Sequence, residues 1–290
     1  MDPTRRLPTK LAEHARSFNE RGATPVEPRH ASTVVLLKEG DGSPGSLRLY
    51  LLRRHVDMAF AAGMYVFPGG RVDPRDYDGE VGWTGPSAEE WAVTLATDAA
   101  LARALVCAAV RETFEESGVL LAGASADEVV ADTTGEDWEA DRKALEAHDL
   151  SFTEFLSRRR LMLRSDLLRM WGTWVTPVFE PRRYDTRFFV ARMPSGQVTR
   201  DVSTESDAVA WSSVREAIEA VDDRRMLMLP PTYCTCLELF DLPTTEAAFR
   251  AVRPAEVIEP EAIMDEQGAY LSIPDRLVVL GKDVAARLRG

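Results

Sequence analysis

Apolar and polar residues alternate along several segments of the chain in the pattern of β-strands. Residues 32–37 are rich in β-branched and aliphatic side chains, and residues 47–53 alternate between apolar and polar positions. Both patterns are typical of strands. Further segments of the same kind, at 170–175, 184–190 and 208–211, predict three more strands.

Helical periodicity is clearest in the charged segments. Residues 136–162 predict helical structure whose buried anchors are Trp138, Leu145, Phe152, Phe155 and Leu156. Ser213, in front of 214–221, and Pro230 are residue types favoured at helix starts. Residues 256–288 predict short strands and a final helix.

The segment 111–118 places three carboxylates on one side of a predicted helix. Glu112, Glu115 and Glu116 fall within an arc of roughly 100°. The opposite face is apolar and carries Val106, Cys107, Val110 and Phe114. Repulsion between these glutamates, and their position at the C-terminal end of the helix dipole, disfavour the helix unless a cation offsets them.

A hard divalent ion such as Mg²⁺ or Mn²⁺ is the natural cation for carboxylate oxygens. The alternative interpretation is an acidic face exposed to water. Two neighbouring residues favour the site. Arg111 lies four residues before Glu115 and can orient its carboxylate through a charge-assisted hydrogen bond. Gly118 can adopt the left-handed conformation that ends a helix.

A glycine turn at 67–73, Phe-Pro-Gly-Gly-Arg-Val-Asp, precedes this helix in the chain. Together with 111–118 it resembles the two halves of the Nudix box, with Thr113 where that box usually has an aliphatic residue. Gly70 and Arg111 are 41 residues apart, in place of 14 in an uninterrupted box. We therefore expect an insertion within the box.

The expected insertion covers about 75–102 and includes a helix start at Ser87. Because of this insertion, two residues could match the glutamate that the family has at the seventh position of the box. Counting forward from the glycine turn places Asp76 there, whereas counting back from the arginine places Arg103 there.

The resemblance implies roles for the matching residues. Glu112, Glu115 and Glu116 would bind divalent ions or act as the base, the carbonyl of Gly70 would complete the coordination, and Arg111 would fix the carboxylates. The family hydrolyses phosphoanhydrides, which requires neutralised phosphoryl charge and an aligned water. We therefore expect Mg²⁺ or Mn²⁺ as the cofactor.

A further carboxylate often reaches the metal ions of this family from a loop outside the box. Glu205 is the candidate here, and an ordinary exposed loop acid is the alternative interpretation of the same residue.

Segments outside the box extend the resemblance to the Nudix branch that contains the peroxisomal coenzyme A diphosphatase. They include 176–177, 182–189 and 229–232. That branch cleaves CoA and acyl-CoA into 3′,5′-ADP and (acyl-)phosphopantetheine. Three arginines, Arg182, Arg183 and Arg187, are candidates for binding substrate phosphates; arginines on the solvated face of a strand are the alternative.

The resemblance also implies the fold, an α/β Nudix sandwich of α/β/α layers with a mixed sheet, elaborated by helical insertions. The expected organisation is an N-terminal arm (1–30), a Nudix hydrolase domain (31–240) and a C-terminal extension packed on that domain (241–290). The domain would carry insertions at about 75–102 and 123–165. The resemblance allows a homodimer, and the sequence itself does not fix the oligomeric state.

The composition of the chain excludes some classes of binding partner. The 47 acidic and 35 basic residues give a formal charge of −12, which argues against general nucleic-acid or membrane-surface binding. Three cysteines are too few for a disulfide framework, and no signal peptide, peroxisomal tripeptide or membrane span is apparent. We therefore expect a cytoplasmic protein with a small nucleotide-containing substrate.

Other interpretations remain open at this stage. The glycine-rich segment 40–45 matches Gly-x-Gly-x-x-Gly but leads into a strand, so it predicts a hairpin loop. The substrate could instead be ADP-ribose, NADH or a dinucleoside polyphosphate. A nucleotide-binding Nudix module without catalysis is an alternative from a different class of function.

Overall fold

The computed structural model describes residues 5–55, 61–204, 206–254 and 256–289. Its α-helices are α1 (Thr9–Glu20), α2 (Ala88–Leu95), α3 (Ala99–Ser117), α4 (Glu136–Glu146), α5 (Phe152–Arg159), α6 (Val214–Asp222), α7 (Pro230–Leu239), α8 (Thr245–Arg250) and α9 (Asp275–Arg289). Its β-strands are β1 (Arg29–Lys38), β2 (Arg48–Arg54), β3 (Tyr65–Val66), β4 (Gly69–Arg71), β5 (Trp83–Thr84), β6 (Ala122–Gly123), β7 (Met162–Arg164), β8 (Leu168–Val175), β9 (Tyr184–Arg192), β10 (Ser206–Ser213), β11 (Val257–Ile258), β12 (Ala262–Asp265) and β13 (Gly268–Leu271).

All five strands predicted from the apolar pattern lie in one mixed sheet. Its order is β10-β2-β1-β9-β8-β11, with β3 paired to β2 and β4 paired to β1. Strands β1 and β9 are parallel, whereas the β1–β2 and β8–β9 pairs are antiparallel. The predicted hairpin loop at 40–45 connects β1 to β2.

Helices cover both faces of this sheet. Successive side chains of a strand point to opposite faces, and β1 shows the consequence. Val34 and Leu36 pack in one buried cluster with α3, while Val35 and Leu37 pack in a second cluster with α6, α7 and α9. The layers are therefore α/β/α, as expected.

The insertion within the box ends in the acidic helix itself. It contains a 3₁₀ helix (Pro74–Tyr77), strand β5 and helix α2, whose capping serine, Ser87, exchanges hydrogen bonds with Glu90 as a capping box. The chain then turns at Ala96, which has φ +50, and enters α3 at Ala99. The last residues expected in the insertion are thus the first turn of α3.

The second insertion, 123–165, forms two helices, α4 and α5. Four of its five predicted anchors are buried, and the fifth, Trp138, is partly buried with Arg159 stacked 3.6 Å from its ring centroid. Strand β7 pairs with β5 and β6 in a small separate sheet, so the two insertions are joined to each other.

Both ends of the described chain pack on the rest of the molecule. Strand β11 extends the main sheet beside β8, and α9 packs against α7. Helix α1, which the sequence analysis did not predict, lies against β13. No single helix within the described residues is long and apolar enough to cross a membrane; α2 and α3 meet that criterion only as a pair bent by 92°.

Candidate active site

Helix α3 presents the acidic segment to the glycine turn. Asp98 caps its first turn by accepting a backbone N–H at 2.9 Å, and Gly118 ends it with φ +73, as predicted. Val106, Val110 and Phe114 are fully buried on one face. The three glutamates therefore lie on the opposite face, towards β4.

Arg111 joins the carboxylates of the site. Its Nη1 donates to Glu112 at 2.9 Å and to both carboxylate oxygens of Glu115 at 3.2 Å. Its Nε and Nη2 donate to Asp76 at 3.0 and 2.9 Å. Nη2 also donates to the backbone carbonyl of Arg71 at 3.0 Å. One buried guanidinium thus fixes three carboxylates and the end of β4.

Asp76 and Arg103, the two candidates for the seventh position of the box, lie in different places. The Asp76 side chain is buried and accepts two hydrogen bonds from Arg111. Arg103 lies elsewhere, 5.3 Å from the ring centroid of Trp83. Of the two candidates, Asp76 is therefore the one that lies in the carboxylate cluster.

Both glycines of the turn lie close to other groups, and at Gly69 the close group is backbone. A Cβ at Gly69 would lie 2.4 Å from the backbone oxygen of Ser32, and a Cβ at Gly70 would lie 2.4 Å from Glu112 Oε1. The N–H of Gly69 donates to Glu116 Oε2 at 2.8 Å. The absence of side chains at this turn lets two glutamates approach the backbone directly.

Negative charge exceeds positive charge in this cluster. Asp76, Glu115 and Glu116 are buried, and only 14% of the Glu112 side chain is exposed. Burial raises the pKa of Glu115 to about 8 against the opposing charge of Arg111, and Glu112 adds to the rise. The cluster therefore requires either a bound proton or a further cation.

The donor set matches a hard divalent ion. Carboxylate and carbonyl oxygens are the ligands that Mg²⁺ and Mn²⁺ prefer, and Gly70, Glu112, Glu115 and Glu116 supply them. As placed, the glutamates contact Arg111 and the Gly69 N–H, and no three His, Cys, Asp or Glu side chains of the described residues converge as a ready-made metal cage. The fit therefore rests on donor chemistry and on the uncompensated charge.

A loop passes the C-terminal end of α3 on the side of Glu116. The N–H of Arg200 donates to the last carbonyl of α3 at 2.9 Å, and the hydroxyl of Tyr50 donates to the Arg200 carbonyl at 2.9 Å. Burial raises the pKa of Tyr50, and the charges of Asp201 and Glu116 act in the same direction. Glu205, the loop carboxylate proposed from the sequence, lies outside the described residues.

The three arginines suggested for substrate phosphates have different environments. Arg183 is buried and donates to the carbonyls of Thr176 and Val26 while pairing with Glu259. All three of its nitrogens are engaged inside the protein, so we no longer assign it to substrate. Arg182, in contrast, is exposed.

Arg187 is the third of these arginines and lies on β9. Its side chain is 9% exposed and pairs with Asp185. The Nε atom is buried without a hydrogen-bond partner.

Arg142 of α4 is a supporting residue that sequence analysis missed. It is 1% exposed, and its Nη1 donates to the backbone carbonyl of Glu115 at 2.7 Å. Glu139 and Glu146 pair with the same guanidinium. The i,i+3 and i,i+4 spacing signals this ion-pair network in the sequence, but nothing in the spacing indicates that α3 is its target.

The chain is similar in sequence to a known protein family. The sequence model described as the NUDT19 Nudix domain matches residues 86–239, a little over half of the chain. Acyl-coenzyme A diphosphatase NUDT19 from Xenopus laevis is 23% identical over 218 residues, which cover 63% of this chain and 57% of that protein. The protein of the same name from Gallus gallus is 27% identical over 259 residues, which cover 71% of this chain and 66% of that protein. The matches thus span less than two thirds of either relative.

A solved structure is similar over most of the chain. It is the crystal structure of a NUDIX hydrolase from Alicyclobacillus acidocaldarius, with a TM-score of 0.65 and 25% sequence identity. The match covers 80% of this chain and 99% of that one.

Proposed function

Since the chain belongs to the family of NUDT19 Nudix domains, we propose that it is a diphosphohydrolase that uses Mg²⁺ or Mn²⁺. The proposed reaction is hydrolysis of a phosphoanhydride in a nucleoside diphosphate linked to another group. One observation carries the proposal: Arg111 binds Asp76, Glu112 and Glu115 together beside the Gly70 turn. The chain has the α/β/α sandwich of Nudix proteins around this cluster.

Each residue of the cluster has a defined part in the proposed chemistry. The carbonyl of Gly70 and the carboxylates of Glu112, Glu115 and Glu116 would hold the divalent ions or accept a proton from water. Such ions, when bound, neutralise phosphoryl charge and make the attacking water more acidic. Arg111 keeps the carboxylates in place before substrate arrives, so that binding requires little reorganisation.

We further propose CoA or acyl-CoA as the substrate, cleaved into 3′,5′-ADP and (acyl-)phosphopantetheine. The support is similarity to two proteins named acyl-coenzyme A diphosphatase NUDT19. Arg182 and Arg187 remain candidates for phosphate binding, since guanidinium groups bind phosphate oxygens in pairs.

A metal-supplemented substrate panel tests the substrate. CoA, an acyl-CoA, ADP-ribose, NADH and diadenosine polyphosphates are each incubated with protein and Mg²⁺ or Mn²⁺, and products are identified by mass spectrometry. Among these compounds only CoA and its acyl esters yield 3′,5′-ADP. Turnover of the other compounds alone would move the assignment to another diphosphate, and metal-dependent binding without any product would indicate a non-catalytic module.

The glutamate variants test the chemistry itself. Glu115→Gln and Glu116→Gln keep the size of the side chain but remove its charge and one acceptor oxygen, and we expect each to reduce kcat by about 100-fold or more on every diphosphate that is turned over. Glu219→Gln, at an exposed position on α6, is the matched control and should retain full activity. Circular dichroism checks that all three variants are folded. Wild-type turnover by folded Glu115→Gln and Glu116→Gln would refute the proposed site.

A further inference from the structure

A pocket of about 360 Å³ opens beside the glycine turn. It is lined by Arg29, His30, Arg71, Val72, Pro74 and Tyr77, and we call it the arginine pocket. Arg71 follows Gly70 directly, and its carbonyl accepts a hydrogen bond from Arg111 at 3.0 Å. The arginine pocket and the carboxylate cluster therefore share the backbone of β4.

Two guanidinium groups in this pocket have no side-chain partner among the described residues. Arg29 and Arg71 are exposed, and neither side chain forms an ion pair or hydrogen bond anywhere in the described ranges. The chain as a whole carries a formal charge of −12. Unpaired cations that line one concave site in such a chain mark it as a place where an anion is attracted.

One lining residue, His30, connects the pocket to a group of ionisable side chains behind it. The Nδ1 atom of His30 forms no hydrogen bond and lies 3.4 Å from Asp185, which in turn pairs with Arg187. The Nε atom of Arg187, a side chain that is 9% exposed, is buried without a partner as well.

The two halves of the proposed substrate differ in charge. In CoA, the pantetheine group on one side of the diphosphate is uncharged. The adenosine group on the other side carries an additional 3′-phosphate monoester. Guanidinium forks bind a phosphate monoester through paired, charge-assisted hydrogen bonds. The charges of the pocket therefore select the adenosine half.

We propose that the arginine pocket binds the 3′-phosphorylated adenosine half of the substrate. Arg29 and Arg71 bind the 3′-phosphate, and the ring of Tyr77, which is 43% exposed, stacks on the adenine base. This proposal rests on the proposed function, because the carboxylate cluster must act on the diphosphate attached to that half. It makes the pocket the part of the site that distinguishes CoA from diphosphates lacking the 3′-phosphate.

Kinetics with CoA and dephospho-CoA, which lacks the 3′-phosphate, test this selectivity. We expect Arg29→Gln and Arg71→Gln each to raise KM for CoA about tenfold, the loss of one charged hydrogen-bonding group. Neither change should alter kcat, or KM for dephospho-CoA. Arg225→Gln, at an exposed arginine after α6, is the control. Equal changes of KM for both substrates, or none, would overturn the proposal.

Calorimetry provides a readout that does not depend on turnover. In the absence of metal, 3′,5′-ADP should bind the full chain more tightly than 5′-AMP, and Arg71→Gln should remove that difference. Tyr77→Leu should weaken both ligands. Equal affinity of wild-type protein for the two nucleotides would contradict the pocket assignment.

The two experiments separate this proposal from the function it rests on. Nucleotide binding that depends on Arg71, in a protein that cleaves no CoA, would support the pocket and refute the proposed activity. Cleavage of CoA that depends on Glu116 but not on Arg29 or Arg71 would support the activity and refute the pocket.

Discussion

Glu115 holds a proton at neutral pH unless a cation takes its place. Burial, opposed by Arg111 and reinforced by Glu112, raises its pKa to about 8, so the neutral acid predominates at pH 7 in the metal-free protein. A divalent ion and a proton thus compete for the same carboxylate. Either one reduces the excess negative charge of the cluster.

The raised pKa of Glu115 predicts how stability depends on pH. The ordinary value of 4.5 describes the unfolded chain, so between about pH 4.5 and 8 the folded state binds more protons than the unfolded state. Its contribution to the free energy of unfolding is therefore complete below the lower value and is lost as pH rises through about 8. Urea titrations in EDTA from about pH 5 to 9 should show a steeper decline for the wild-type protein than for Glu115→Gln.

Two controls accompany this measurement. Glu219→Gln should follow the wild-type decline, because that residue is exposed. Excess Mg²⁺ should flatten the wild-type decline, because the ion binds the ionised carboxylate that high pH produces. Parallel declines of wild type and Glu115→Gln would show that Glu115 does not titrate in this range.

A residue of the site could be predicted from the sequence when its partner lies close to it in the chain. Arg111 and Glu115 share one helical turn, so spacing alone predicts their contact. Asp76 and Arg71 reach Arg111 only through the folded insertion, and two ways of counting gave two candidates. Arg29 joins the pocket because β1 lies beside β4, a pairing that no local pattern specifies.

At the scale of elements, the second insertion contacts the C-terminal end of α3. The last carbonyls of a helix lack partners within it, and Arg142 of α4 donates to that of Glu115 at 2.7 Å. A buried cation at this end also opposes the unfavourable interaction between the helix dipole and the three glutamates. Helix α4 therefore fixes the end of α3 that carries the three glutamates.

Replacing Arg142 should loosen this end of α3. We expect Arg142→Met to lower the free energy of unfolding by about 2 kcal/mol through the loss of charged hydrogen bonds. The metal concentration for half-maximal activity should rise about tenfold, because supporting residues orient metal ligands. Urea unfolding and metal titrations of activity measure the two effects.

Arg158→Met on α5 is the control for Arg142→Met, since Arg158 is exposed. It should change stability by no more than about 0.5 kcal/mol. Loss of stability in Arg142→Met with unchanged metal dependence would mean that Arg142 serves the fold alone.

The boundary between α4 and α5 shows why some elements could not be predicted. No glycine or proline interrupts 136–162, so the sequence indicates one helical stretch. The chain breaks at His148, which has φ +60. Arg75 of the first insertion donates to the carbonyl of His148 at 3.0 Å and approaches its Nδ1 at 2.9 Å. A contact between two insertions, distant in sequence, accompanies this break.

At the scale of the whole molecule, the ends of the chain contribute to one continuous core. Alternation along β1 predicted a strand with two apolar faces, but it could not show which helices cover them. The predicted boundaries at 1–30, 31–240 and 241–290 remain predictions. Strand β11 nevertheless extends the main sheet, and α9 places Leu277 and Val284 in the cluster that contains Val35 and Leu37.

This packing predicts that a change in the C-terminal extension destabilises the whole molecule. Leu277 is 1% exposed, and Leu277→Ala should lower the free energy of unfolding by about 2–4 kcal/mol through lost burial and the cavity left behind. Val279, on the same helix, is 64% exposed, so Val279→Ala should change it by no more than about 0.5 kcal/mol. Urea unfolding followed by circular dichroism should show one transition for each protein, since the extension and the central sheet share a core.

A separate early transition confined to Leu277→Ala would instead mean that 241–290 unfolds independently. Because this cluster lies on the face of the sheet opposite α3, the folded fraction of Leu277→Ala should keep wild-type activity.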